Sequence, residues 1–598
     1  MKINTLNTVP LVLLFLISSA CSKATTPKEE EVDPGITIDK TEIKWQNDSQ
    51  IWNTFTDNTV YNWKNASYIT EGWDLSLPPS ARASENAFID INSQTTQYFK
   101  NVKDITGIRL SQHFQSSWST LEATENNYDF SSITNAIKNA RANGFDGICL
   151  RFYANTYNVV GNFTTHNSAP KWIKTKYPDM YILTGTTDVD LGSRVDNYAL
   201  WDPRFNALYD KLLDKFGETS IPNSDGLLGC YVCGISSSRG EEFYLPQSLI
   251  KEAETNGGLT RANFESTFKS RLDKWSEIFG NNVGKLMWVG DEANIYSTEA
   301  NSINQYAINK GLGVRGGIIE VYLNKLYLPL CGTYINDNGY LSIDESNTLI
   351  ANPNILYGDE AEEYYDDLAP RFGDIKMNGY RYFEAMLRLL QMRKNMVWIG
   401  GSKIDYELTT FVANELGKTV EDTPDVWAYL RQSKVYDTST SSWHTKTVDC
   451  KNYERWLYQR DMPNGYMTVP AMPVPLDKQD WVCPPDYKFS YTARRTDIDS
   501  GNDKIAFAID DRYINGAQKV AIKISYHDIG KVQWGIRYHT SNGELKEKYI
   551  TTANSKNLRT ATFIISDGVF NAQNLDSDFE IYSVNGNIAV SLVRVIKI

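Results

Sequence analysis

Residues 131–152 read SSITNAIKNARANGFDGICLRF, and this stretch decides the fold. Its first part, Ser131 to Asn143, has helical spacing behind the start Ser131-Ser132-Ile133, where a short hydroxyl side chain suits a helix cap. Its second part, Gly147 to Phe152, is a short apolar run of the kind that forms a strand buried on both faces. Working outward, the same alternation of short apolar run, loop and helical segment recurs about eight times from Ser67 onward. Strands are expected at Ser67–Trp73, Gly107–Leu110, Gly147–Phe152, Leu228–Gly234, Lys285–Gly290, Val314–Glu320, Asn354–Gly358 and Met396–Gly400. Helices are expected at Ser131–Asn143, Pro203–Phe216, Ala262–Phe279, Thr298–Asn309 and Asp374–Arg393, with Asp202-Pro203 a second good helix start. Eight such units close a (β/α)8, or TIM, barrel. A doubly wound α/β sheet alternates in the same way, but it normally carries a glycine-rich phosphate loop after its first strand, and the sequence has none there.

The pattern then changes. Met462 to Pro485 holds Pro463, Pro470, Pro473, Pro475, Pro484 and Pro485, a density that forbids regular helix and reads as a linker lying over the barrel. Beyond it, Lys504–Ile509, Lys519–Tyr526, Gln533–Tyr538, Thr560–Ile565, Phe579–Tyr582 and Ile588–Ile596 are short strands broken by turns such as Asn542-Gly543 and Asn585-Gly586. A small C-terminal all-β sandwich is expected, the common shape of an appended carbohydrate-binding module. The expected layout is a barrel over 46–461, a linker over 462–485 and a sandwich over 486–598. Trp427 to Arg460 should then stay with the barrel, and a chain cut near Pro485 should leave a folded barrel.

The N-terminus reads as export machinery. Lys2 supplies a charge, Val9 to Ile17 an apolar run too short to span a bilayer, and Ser18-Ser19-Ala20 a small-residue cleavage site before Cys21. Residues 1–21 are expected to be a lipoprotein signal with Cys21 lipidated, and 22–45 a polar tether. Glu29-Glu30-Glu31 in that tether resembles the acidic export signal of surface lipoproteins in Bacteroidetes-type bacteria. The expected location is the outer membrane or cell surface, with membrane contact through the N-terminal lipid only. A net charge of −13 with scattered Lys and Arg argues against nucleic acid as a partner, since phosphate binding needs a clustered basic surface. Cys230-Tyr231-Val232-Cys233 is a CxxC without a second Cys or His pair nearby, and the whole chain has five His. No metal site and no cofactor are expected, and these cysteines read as buried thiols of a barrel strand. Aromatic residues make up 12%, which suits both a large core and the stacking of sugar rings.

Trp118-Ser119-Thr120-Leu121-Glu122-Ala123-Thr124-Glu125-Asn126-Asn127-Tyr128-Asp129-Phe130 is similar to the W-x-x-L-E-P-x-x-G-x-Y-D-F segment of barrel glycosidases, particularly the β-galactosidase-like families. There it follows the second strand and leads to a helix, an A-x-x-x-G and a strand ending in Arg. Here Ala140 to Gly144 and Ile148 to Tyr153, with Arg151, take those places. Ala169-Pro170-Lys171-Trp172-Ile173 and Asp202 to Phe205 follow in the same order as in those families. The segments Asp425–Arg431, Glu454–Asp461 and Ala493–Asp497 also look like glycosidases of polysaccharide-degrading bacteria. The resemblance implies a glycoside hydrolase whose partner is a polysaccharide or oligosaccharide; it attaches no particular substrate, and galactans such as agar or carrageenan are one candidate class.

Glycoside hydrolysis needs two carboxyl groups flanking one C–O bond, and in a barrel the C-terminal strand ends converge on the mouth. Strand four runs out to Glu241-Glu242, strand five to Asp291-Glu292, strand six to Glu320 and strand seven to Asp359-Glu360. In the clan that the resemblance suggests, the acid/base follows strand four and the nucleophile follows strand seven. Carried over, Glu241 or Glu242 is the acid/base and Glu360 the nucleophile. That clan usually has Asn before its acid/base, whereas Gly240 and Glu241 stand there here, so both candidates stay open with Glu241 ahead. Glu292 and Glu320 are expected to bind sugar hydroxyls or to hold Arg315. His113, Arg151, Tyr153 and Trp398, at or just past strand ends, suit substrate hydroxyls or a sugar face, and Trp118 is grouped with them. A lipid-anchored, non-catalytic surface glycan-binding protein is the alternative. A polysaccharide lyase fits less well, because its usual Tyr, His or Lys base and calcium are not suggested by so few His and a barrel pattern.

Overall fold

Successive side chains of a strand point to opposite faces, so a barrel strand packed between an inner plug and outer helices has to satisfy both. The computed structural model describes residues 73–76, 78, 81–91, 96–160, 168–188, 193–232, 247–288, 296–318, 332–361, 376–399, 406–436, 447–475, 489–572 and 577–598. In it, β1 (Phe88–Ile91), β2 (Arg109–Ser117), β3 (Gly147–Tyr153), β4 (Leu227–Tyr231), β5 (Leu286–Trp288), β6 (Gly313–Ile318), β7 (Tyr357–Ala361) and β8 (Met396–Ile399) pair in parallel in chain order. β8 returns to β1 with Met396 opposite Phe88, so the sheet closes and has no edge. Outward-facing Ile89, Ile91, Leu110, Ile148, Leu150, Phe152, Val397 and Ile399 enter one large core. The helices that cover them include α1 (Thr96–Thr106), α2 (Ser131–Ala142), α3 (Pro203–Gly217), α4 (Arg261–Phe279), α5 (Ser297–Asn309), α6 (Lys376–Gln391) and α7 (Tyr406–Glu415). Inward-facing Phe88, Cys149, Leu228, Tyr231, Met287, Leu356 and Met396 form a separate apolar plug inside the barrel.

Local signals explain most of these elements. Asp202 caps α3 by accepting from the Arg204 amide at 2.8 Å with Pro203 behind it, as the sequence suggests. α2 begins at Ser131, but the capping acceptor is Asp129, whose Oδ1 takes the Ser131 amide at 2.8 Å. The first strand departs from expectation. Phe88–Ile91 fills the place assigned to Ser67–Trp73, of which residues 67–72 lie outside the described residues. Trp73 instead stacks on Phe383 of α6, ring centroids 4.3 Å apart, and its Nε1 donates to Ser591. β7 starts and ends later than expected, which places Asp359 and Glu360 within the strand. Cys149, Cys230 and Cys450 are buried free thiols, and Cys233 lies outside the described residues.

The C-terminal part is a two-sheet sandwich that starts earlier than residue 486. Its strands are β9 (Asp425–Tyr436), β10 (Thr447–Arg455), β11 (Leu457–Arg460), β12 (Val469–Pro475), β13 (Phe489–Arg495), β14 (Lys504–Ile509), β15 (Val520–His527), β16 (Gln533–His539), β17 (Leu545–Thr551), β18 (Leu558–Ile565), β19 (Phe579–Ser583) and β20 (Ala589–Lys597). One sheet runs β10-β9-β13-β20-β15-β18 with β12 on β13, and the other runs β11-β14-β19-β16-β17. Between them lies a core that includes Ala428, Leu430, Ile522, Val593, Phe507, Trp534 and Ile581.

Two expectations are corrected here. Trp427 to Arg460 belongs to the sandwich, because β9 pairs with the last strand from Asp425↔Ile596 to Tyr429↔Leu592. The proline-rich segment is not simply a linker either: Val469–Pro475 pairs with β13, and its prolines are tolerated because β12 is an edge strand with one neighbour. Residues 476–488 lie outside the described residues. The joint to the barrel is buried and ionic, with Arg431 of β9 on Glu384 of α6 at 2.8 Å and Arg455 of β10 donating to the Glu415 and Leu390 carbonyls. The main core cluster runs from the barrel helices into Trp427, Tyr429, Tyr453 and Leu592. Among the described residues no helix is long and apolar enough to cross a membrane.

A chain ending at residue 485 would keep β9 to β12 but lose β20, β14 and β13, on which β9, β11 and β12 pair. It is expected to aggregate or to melt without a cooperative transition; a soluble product with the parental melting temperature would contradict this pairing.

Candidate active site

The strand parity that builds the apolar plug also builds the layer above it. Two residues beyond Phe88, Cys149, Gly358 and Met396, on the same inward face, stand Asp90, Arg151, Glu360 and Trp398. Gly358 leaves the room this needs, since a Cβ there would meet the Met396 sulfur at 2.6 Å. His113 of β2, Tyr231 of β4 and Arg315 of β6 complete the group near the C-terminal strand ends.

Glu360 is its centre. One carboxylate oxygen accepts from Arg151 Nη2 at 2.6 Å and the other stands 2.8 Å from Arg315 Nη1, with all three side chains buried. Both guanidinium carbons lie 5.1 Å from the centre of the Tyr231 ring, and that of Arg151 lies 5.9 Å from Trp398. A buried carboxylate is costly to ionise, and two cations in contact offset that cost and fix its orientation. On the opposite side, His113 Nδ1 is 2.7 Å from Asp90 Oδ2. Burial pushes the His113 imidazole below its ordinary range; Asp90 opposes this, while Arg151 and Arg315 add to it. The ring is therefore neutral near pH 7, with Nδ1–H assigned as donor to Asp90 and Nε2 as an acceptor.

Several buried polar atoms here have no partner among the described residues: His113 Nε2, Tyr231 Oη, Trp398 Nε1 and Asp90 Oδ1. These four atoms are therefore available to hydrogen-bond a polar ligand that enters the layer. No group of three or more His, Cys, Asp or Glu able to hold a metal occurs among the described residues.

The structure brings together His113, Arg151, Trp398 and Glu360 of the sequence-predicted set. Tyr153 lies one step further along β3 on the same inward face and is buried. Trp118 is corrected: it starts a short helix, its Nε1 donates to Glu122 at 2.8 Å, and its ring packs on Phe205 and Tyr209 of α3 in the helix-facing core. Glu241, Glu242, Glu292, Glu320 and Cys21 lie outside the described residues. Arg315, which Glu292 or Glu320 is expected to hold unless they bind sugar hydroxyls, pairs with Glu360. Asp90 and Tyr231 were not anticipated. The available signals were a lone acid inside the run Ala87-Phe88-Ile89-Asp90-Ile91 and an aromatic at the end of a strand whose other residues are small or aliphatic.

Residues 92–219 match the family model for glycoside hydrolase family 42, described as β-galactosidase. The match runs from before β2 through α3 and carries His113 and Arg151. Similar solved structures include a β-galactosidase from the psychrophilic Marinomonas ef1, 9% identical with a TM-score of 0.25, over 55% of this chain and 59% of that one. An exo-β-1,4-mannosidase from Opitutaceae bacterium strain TAV5 is 10% identical with a TM-score of 0.30, over 57% and 62%. An endo-glycoceramidase II from Rhodococcus sp. is 8% identical with a TM-score of 0.22, over 85% and 100%. The chain thus spans about three-fifths of the first two structures. No curated protein sequence matches the chain.

The buried imidazoles give a pH signature. Burial pushes His113 below 6.5 and His527 down to about 3, so between pH 6.5 and those values the unfolded chain binds protons that the folded one does not. Their contribution is fully present above pH 6.5 and is lost on acidification, by up to about 1.4 kcal/mol per pH unit for each imidazole. Urea unfolding followed from pH 7 to 5 should show this slope, and His113→Asn should make it shallower; an unchanged slope would show that His113 is protonated in the fold.

Proposed function

We propose that the protein is a glycoside hydrolase acting on a polysaccharide or oligosaccharide at the C-terminal face of its barrel. The observation that carries this reading is Glu360, buried on β7 with a guanidinium on each carboxylate oxygen, in a layer where His113 Nε2, Tyr231 Oη, Trp398 Nε1 and Asp90 Oδ1 have no partner among the described residues. Such an environment keeps a carboxylate ionised, which suits a nucleophile and disqualifies a proton donor. The family match over residues 92–219 supports the same chemistry, and a galactan is the substrate class we favour.

In the proposed reaction Glu360 attacks the anomeric carbon as the glycosidic C–O bond breaks, while Glu241 or Glu242 gives its proton to the departing oxygen. Water then attacks the glycosyl–Glu360 ester, losing its proton to that second carboxylate, and Glu360 leaves as a carboxylate. Arg151 and Arg315 align the attacking oxygen and stabilise the charge that returns when the ester is cleaved. His113 Nε2, Tyr231 Oη and Trp398 Nε1 are suited to hold sugar hydroxyls. Export as a lipoprotein anchored at Cys21, on the outer membrane or cell surface, belongs to the same proposal, since a polysaccharide too large to enter the cell has to be met outside it.

Reducing-sugar release across galactans, mannans and glucans tests the activity. Glu360→Gln is expected to abolish turnover while the protein still folds and binds. Changing the true acid/base among Glu241 and Glu242 to Gln should cost roughly 10²–10⁴-fold, and less on substrates with good leaving groups. Near-parental rates for Glu360→Gln would overturn the assignment, and glycan binding without turnover by the native chain would make it a binding protein. For the anchor, Cys21→Ala is expected to move the protein into the soluble fraction; unchanged membrane partitioning would refute lipidation.

A further inference from the structure

The other end of the barrel carries a cleft. There a hairpin, Thr333–Ile335 paired with Leu341–Ile343, and the residues leading into β8 meet β10 and β11 of the sandwich around an open space of about 680 Å³. Gln391, the last residue of α6, and Arg393 line it ahead of β8, so this cleft lies at the N-terminal strand ends, away from Glu360.

Three independent features mark it as a ligand site. Gln391 is fully buried, its Oε1 accepts from Arg388, and its Nε2 has no acceptor among the described residues; Arg393 Nε is likewise unpartnered. Arg393 holds a left-handed backbone, φ 62°, in a region unfavourable for large side chains, and its guanidinium lies 4.2 Å from the centre of the indole of Trp456, which lines the smaller cleft beside this one. Tyr334 stands on the hairpin at the rim with 47% of its surface exposed. Burial, with Arg455 adding to it, pushes Arg393 down to about 10, and its nearest carboxylate, Glu345, is 3.7 Å away and shared with Arg512.

The chemistry of the wall selects the ligand. Asp344, Glu345 and Glu454 face Arg393 and Arg460, an excess of one negative charge, which disfavours phosphate, sulfate and nucleic acid. A wall this polar disfavours a lipid. A flat exposed phenol beside closely spaced donors and acceptors matches a sugar ring, whose C–H face stacks and whose edge hydroxyls both give and accept hydrogen bonds. The volume falls within the ordinary range for small-molecule sites. A smaller cleft of about 250 Å³ shares Glu345 and Arg393 with it, which gives room for further sugar units.

We infer that this cleft is a second glycan-binding site, in which a neutral oligosaccharide stacks on Tyr334 and takes hydrogen bonds from Gln391 and Arg393. Barrel and sandwich both contribute to it, so it exists only in the assembled chain. It would keep a polymer attached while the opposite face acts on it.

The test uses the full chain carrying Glu360→Gln, titrated calorimetrically with neutral galacto-, manno- and gluco-oligosaccharides and a sulfated galacto-oligosaccharide. One neutral series is expected to bind at two sites, and adding Tyr334→Ala should weaken one of them by about tenfold or more. Asn336→Ala, on the same hairpin, should weaken the same site, and melting curves check that both variants fold. Tyr334-dependent binding by a chain that hydrolyses nothing would uphold this site while removing the reading of Glu360. A single binding event indifferent to both changes, binding of no oligosaccharide, or tighter Tyr334-dependent binding of the sulfated sugar would overturn it.

Discussion

The contact of Glu360 with Arg151 and Arg315 is the constraint around which the barrel interior is arranged. An ionised carboxylate in a closed barrel is stable only where its charge is met on the spot, and here the cations come from β6, the neighbour of β7, and from β3, which lies across the ring from it. Replacing a buried ion pair by apolar side chains is often neutral or stabilising, so such a cluster is weak evidence for a purely structural role. The apolar plug just beneath it shows that the same strands can fill the barrel without charge. The position of the charged layer above that plug, together with the His113, Tyr231 and Trp398 atoms that have no partner among the described residues, makes it the candidate site.

Placement of that layer depends on strands whose outer faces are gripped by helices, and α6 and α7 are in turn held by the sandwich. Arg431 on Glu384 and Arg455 on the α6 and α7 carbonyl ends tie the two parts together, and Arg594 of the last strand pairs with Asp425 at 2.6 Å while donating to the Asp74 carbonyl. Removing one partner of a buried pair strands the other charge, so the joint resists separation. The chain following the barrel therefore supports α6 and α7, the helices that flank β8.

Much of this was legible in the sequence because barrel strands buried on both faces are apolar runs that stand out between polar helical segments. Gly147–Phe152, Val314 onward and Met396 onward were readable on that ground, as was Glu360 behind Gly358-Asp359. The first strand, Phe88–Ile91, does not stand out in the sequence because Asp90 interrupts its apolar run. Trp118 was misjudged because its place in a motif does not say which side of the barrel wall its ring packs against. The proline-rich segment was read as a linker because proline content distinguishes central strand from edge only once the neighbours are known. The partnership of Arg315 with Glu360 was hidden for a related reason: it depends on which residues share the inward face of β6 and β7, and a register shift between Gly358 and Glu360 alters that.

The claim at the centre of this account is that Glu360 is the carboxylate that forms a bond to the sugar. A 2-deoxy-2-fluoro glycosyl fluoride slows breakdown of a glycosyl ester more than it slows its formation, so the ester accumulates. Incubating the native chain with the fluorosugar of the hydrolysed glycan and sequencing its peptides by mass spectrometry should find one sugar, attached to Glu360. A label on another carboxylate, or hydrolysis that inverts the anomeric centre and leaves no label, would contradict it.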